Sequence, residues 1–120
     1  MCKLKLDKMR NILKVIFEGI IDKQQAEELH AEVLQIAPQL KQGFTLLSDL
    51  SFLKEMDVDV HKTIEKIMDI CNQCGVSKVI RIIPNQVGDI GFSIMSIFHY
   101  SKDVKIYTYE SLDQAQKHFS

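Results

Sequence analysis

Between residues 44 and 74 the hydrophobic pattern changes period once, and that change limits what the chain can fold into. Residues 44–47 are a short apolar run that leads to Asp49, the pattern of a central strand (44–49) covered on both faces. From Asp57 or Val58 to Cys74, the apolar residues Val60, Ile64, Ile67, Met68 and Cys71 recur at steps of three and four. That spacing puts them on one buried face of a helix. The stretch between, 50–56, reads as a tight loop. A strand, loop and helix in this order belong to an open α/β sheet, where sites are built on loops leaving the carboxyl ends of strands. The 50–56 loop and the helix start after it are therefore the first place to look for function.

The flanking chain repeats the theme. Residues 3–6 and 11–18 alternate polar and apolar, with Leu13, Val15 and Phe17 on one face, and 7–10 between them are turn-like, so the chain opens with a β-hairpin. Gly19 then supplies a sharp turn. Asp22 caps a helix, with Gln25 in capping-box spacing. Ala26, Leu29, Val33, Ile36 and Ala37 form its buried stripe, His30 lies beside the stripe, and Pro38 and Gly43 close it.

After the central helix, Gly75 is placed as a C-cap, and 77–83 (SKVIRII) is a second buried-type strand. Residues 84–88 form a loop and Asp89 caps a third helix, 90–100. Residues 104–107 are a short strand. Ser111 and Gln114 open a last helix with Leu112, Ala115 and Phe119 inward. Hairpin, then alternating helix and strand, predicts one α/β domain over residues 1–120. Its central sheet is mixed but mostly parallel, with about four helices packed mainly on one face.

Composition narrows the function classes. The chain has 120 residues and a formal net charge of −1. Lysine and arginine are scattered, which argues against a nucleic-acid footprint. No apolar run approaches the roughly 20 residues of a membrane-spanning helix, and MCKLKLDKMR lacks a signal-peptide core. A cytoplasmic chain is expected, and its three cysteines do not suggest a disulfide framework.

The pair Cys71 and Cys74 forms a CxxC, but it ends a helix, where the dipole disfavours a thiolate, and it is half a zinc site at most. Buried or boundary thiols are expected, with no metal and no cofactor. Asp49, Asp57 and His61 carry acid–base groups without a nucleophile in recognisable spacing, and Gly88, Asp89 and Gly91 lack the phosphate-loop lysine. An enzyme is not expected.

The element order and the central stretch resemble the STAS domain, a family that includes anti-sigma-factor antagonists and the cytosolic tails of sulfate transporters. Its central pattern is a strand ending Asp-Leu-Ser, an apolar position, and an apolar residue before Asp-Ser-Ser/Thr-Gly at a helix start. Asp49, Leu50 and Ser51 match the first part, Leu53 and Met56 the apolar positions, and Asp57 the second aspartate. The closing segment YTYESLDQA (107–115) is also similar.

In the antagonists a partner kinase phosphorylates a serine at the helix start. The matching position here is Asp59, preceded by Val58 and followed by Val60 in the glycine's place. The resemblance thus implies a regulatory module whose phosphorylation site is replaced by a carboxylate, with Ser51 as the other hydroxyl open to modification. A helix-capping role for Asp57 and Asp59 is the plainer alternative.

Two functions stay open. One is a non-catalytic interaction module that binds a protein, by the resemblance a kinase-type anti-sigma regulator, through Ser51, Asp57, Asp59, His61, Phe92 and Met95. The other is a small carrier or sensor of a lipid-like ligand held between the third helix and the sheet. The third helix is apolar nearly all round, which suits a ligand, a partner or a homodimer. His99 near its end complements the helix dipole.

Overall fold

The computed structural model describes residues 1–84 and 100–119. The elements are strands β1 (Cys2–Asp7) and β2 (Ile12–Ile21), helix α1 (Lys23–Ile36) and strand β3 (Thr45–Met56). Then follow helix α2 (Val60–Gln73), strands β4 (Lys78–Ile82) and β5 (Lys105–Tyr109), and a one-turn helix α3 (Leu112–Ala115). The sheet has five strands in the order β1-β2-β3-β4-β5. β1 and β2 are antiparallel, and every later pairing is parallel. The expected mixed, mostly parallel α/β sheet is what the chain forms. The described residues hold three α-helices. The expected third helix, with Phe92, Met95 and His99, lies outside them except for Tyr100, as do Asp89 and most of the loop before it.

Alternation along the strands sorts the side chains. Leu13, Val15 and Phe17 of β2, Leu46 and Leu50 of β3 and Val79 of β4 join Ala26, Leu29 and Val33 of α1 and Val60, Ile64, Ile67 and Met68 of α2 in one large core. Each fully buried aliphatic or aromatic side chain contributes about 1.5–3 kcal/mol relative to leaving it in water. The second sheet face carries a smaller cluster of Ile12, Leu47, Ile80, Ile82 and Ala115, with Leu112 and Phe119 packed against it. The closing helix therefore covers the face opposite α1 and α2. The two long helices share one face, and among the described residues only this one-turn helix lies on the other.

Two expected caps form. The Asp22 side chain accepts from the Gln25 amide at 2.9 Å, and the Ser111 hydroxyl accepts from the Gln114 amide at 3.3 Å. Gly75 sits at φ 89° after α2, where it allows the left-handed exit to β4. Gly19 is different: it lies inside β2 at φ 72°, and the β2–β3 register shifts on either side of it. It stays in the ladder, paired with Leu53 between two slips whose extra residues lie on β3, and does not form the expected turn, so β2 runs on to Ile21.

Candidate functional site

The largest departure from expectation is residues 50–56. They are not a loop. β3 continues through them to Met56 and pairs with the extension of β2, with Gly19 opposite Leu53 and Ile21 opposite Met56. From Ser51 to Lys54 burial alternates, with Ser51 and Leu53 half-buried and Phe52 and Lys54 exposed, the pattern of a strand covered on one side only. Between the pairs Ile16–Asp49 and Glu18–Phe52 the ladder slips. The buried Asp49 carboxylate accepts from the Ser51 amide at 3.0 Å, which satisfies a donor freed by the slip. Asp49 thus has a structural task, and Ser51 sits in the irregular ladder rather than on a mobile loop.

At the far end of the ladder the chain turns. The Asp57 amide donates to the Ile21 carbonyl at 3.3 Å, and the Val60 amide to the Asp57 carbonyl at 3.0 Å. α2 begins at Val60, two or three residues later than its periodicity suggests. Asp59 occupies the N-cap position in helical backbone, and its side chain makes no capping hydrogen bond. The capping expected of this aspartate is absent, because a helical Asp59 cannot turn its carboxylate back onto the first free amides. Its charge still faces the positive end of α2. Asp57 and Asp59 are exposed and His61 is half-buried.

Two apolar side chains stand out in water around this tip, Ile20 at 58% and Val58 at 80% exposure, while Phe52, at 66%, stands beside Ser51 further back along β3. Val58 is flanked directly by the two aspartates, and Ile20 is paired with Glu55 on the same ladder. The tip is therefore an acidic surface studded with apolar residues. Val58 was read only as the residue standing where the family's hydroxyl would be, and Phe52 as loop; the exposed pattern Phe52, Lys54, Glu55 was the signal for both.

Asp49, Asp57 and His61 do not form an acid–base cluster. At about 3.3 Å per strand residue, Asp49 lies roughly 20 Å back along β3 from the turn. The same spacing separates Ser51 from the tip by most of that length, so the expected partner surface divides in two, with Asp57, Asp59 and His61 at the tip and Ser51 behind it. Phe92 and Met95 lie outside the described residues.

The CxxC occupies the end of α2, as expected. Cys71 is buried and Cys74 half-buried. Burial, and then the neighbouring Cys74, pushes the Cys71 thiol up to about 12. Among the described residues no group of three or more His, Cys, Asp and Glu could hold a metal ion.

Arg81 was not singled out in the sequence, although it interrupts the apolar run of β4. It is buried and donates to the Thr108 hydroxyl at 2.7 Å. With Ser48, Met68 and Tyr100 it lines a cavity of about 20 Å³, room for about one water. Burial holds the Tyr100 phenol well above its usual pKa, with Cys71 adding to the shift.

No family model matches the chain, and no curated sequence is similar. Solved structures do match. One is an uncharacterized protein with a SpoIIAA-like fold from Shewanella loihica, at TM-score 0.71 and 11% identity over 98% of this chain and 90% of that one. The fold is STAS-like. The unphosphorylated anti-sigma factor antagonist SpoIIAA follows at TM-score 0.64 and 13% identity, over 98% of this chain and 94% of that one. A chain from the Pseudomonas aeruginosa complex of diguanylate cyclase SiaD with its activator SiaC matches at TM-score 0.60 and 14% identity, over 91% and 93%. These STAS-like neighbours include regulatory proteins named for their action on other proteins.

Proposed function

We propose that the chain is a non-catalytic regulatory module that binds a protein partner through the tip formed by residues 57–59 and the start of α2. The observation that carries this is Val58, 80% exposed between two exposed aspartates. An apolar anchor ringed by charge is the composition of an interface centre rather than of ordinary surface. Ile20 extends the apolar contact, and His61 adds polar recognition. The carboxylates select a partner with a basic patch.

Asp59 stands where the resemblance places a phosphorylated serine. It carries one permanent negative charge, against about −1.5 to −2 for phosphoserine. We read the tip as fixed in a charged state that no kinase switches. The neighbouring regulatory folds support the module reading, and an anti-sigma regulator is the partner class the resemblance suggests.

The test is affinity capture from the native cell with the wild type and with Val58→Lys. A partner retained by the wild type and lost by Val58→Lys supports the tip; a partner held equally by both removes it. Intact-mass analysis after incubation with cell extract and ATP tests the second point, and stoichiometric phosphate on Ser51 would refute the unswitched site.

A further inference from the structure

Among the described residues, the sheet face opposite α1 and α2 is only partly roofed. Ala115 seats on Ile12, Leu47, Ile80 and Ile82, but α3 is four residues long. Between it and the β1–β2 turn an open groove of about 700 Å³ is left, within the range of small-molecule sites. Its floor is apolar, made by Ile12, Leu47, Leu112 and Phe119. Its hairpin wall is cationic, with Lys5, Lys8, Arg10 and Lys14 against the single carboxylate of Asp7.

Register gives this wall its meaning. Lys5 and Lys14 stand directly opposite each other across the β1–β2 ladder. Like charges so placed repel and destabilise a sheet. Their neighbours are neutralised: Lys3 pairs with Glu18 at 3.3 Å, and Arg10 with Asp7 at 3.9 Å. Among the described residues neither Lys5 nor Lys14 has a carboxylate within ion-pair distance. An anion seated between the two ammonium groups would turn the repulsion into two charge-assisted hydrogen bonds. At the rim Met9 is 98% exposed, an apolar side chain held in water beside four cations.

We propose that this groove binds a single-chain anionic amphiphile of the fatty-acid type. Its carboxylate lies between Lys5 and Lys14, and its alkyl chain runs over Ile12 and Leu47 toward Phe119. A free inorganic anion would use the lysines and leave the half-exposed Leu112 and Phe119 in water. A neutral hydrocarbon would cover the floor and leave the lysines opposed. Only a molecule with both parts answers both walls. The groove lies at the opposite end of β2 from the residue 57–59 tip, so the proposal does not rest on the partner-binding reading.

The experiment is a titration of the isotope-labelled chain with laurate, below its critical micelle concentration, followed by amide NMR shifts. Saturable binding with shifts centred on Lys14, Leu47 and Phe119 is expected. Dodecanol, with the same chain and no charge, should bind at least tenfold more weakly. The double variant Lys5→Glu/Lys14→Glu should lose at least tenfold in laurate affinity, while Lys105→Glu, outside the groove, should leave it unchanged. Should the double variant misfold, Lys8→Glu with Lys14→Gln serves, read on the same shifts. Equal binding of dodecanol, equal binding of inorganic phosphate, displacement of laurate by a polyglutamate peptide, or shifts centred elsewhere would each overturn the proposal.

Discussion

The two faces of the sheet are built to different standards. The first is sealed by two helices of fourteen residues each, and its core runs without interruption from Phe17 to Ile83. Among the described residues the second has a cluster of five buried residues under a helix of one turn. More of the described apolar core therefore lies on the first face. The contrast is one of length: a fourteen-residue helix spans about 21 Å, enough to roof two strands, and a four-residue helix spans about 6 Å.

Core truncation should expose the contrast most strongly. Leu29→Ala, on the first face, should cost about 2–5 kcal/mol, as buried leucines do. Leu112→Ala, half-buried on the second, should cost about 1 kcal/mol or less. Urea denaturation measures both, and equal losses would erase the distinction.

Gly75→Ala should come next. The left-handed φ of 89° is strained for alanine, and an added Cβ would stand 2.6 Å from Gln42 Cγ. A loss of about 1–3 kcal/mol is expected, with Gly75→Asn recovering part of it because asparagine tolerates this backbone.

The helix starts of the first face give a finer test. Asp22→Ala removes a formed cap and should cost about 1 kcal/mol. Asp59→Ala removes only a charge near the dipole and should cost about 0.5 kcal/mol or less, while abolishing any partner binding through the tip.

The smallest effect concerns the second face and pH. Tyr109 Oη and His118 Nε2 are 2.6 Å apart, and the phenol donates when Nε2 carries no proton. Burial, then the nearby Lys78 and Lys117, lowers the His118 pKa from 6.5. The unfolded chain therefore takes up this proton first as pH falls. The stability held above pH 6.5 is lost as pH drops through 6.5 toward the folded value, and no further below it. His118→Gln should flatten that part of the stability–pH curve, and the imidazole shift in NMR locates the folded midpoint.

Much of this was legible in the chain. Period gave α1 and α2 because each buries a stripe, and short side-chain oxygens gave the caps at Asp22 and Ser111. The errors have one origin. Reading Gly19 as a turn shortened β2, and a shortened β2 leaves residues 50–56 without a partner, so they look like a loop. In the fold the two extensions pair with each other, and neither is recognisable alone. The acidic tip was found from Asp57 and Asp59, which are separated by a single residue in the sequence. The rear groove was not, because Lys5, Lys14, Leu47 and Phe119 meet only through strand register and the return of the last helix.

The spatial order of the strands, β1 through β5, is also their order of synthesis. No strand must wait for a later one to be inserted between itself and its neighbour. Each can add to the edge left by the strand before it, so β1 to β4 can pair in the order in which they are made. Residues 112–119, which wall the rear groove, follow all five strands along the chain.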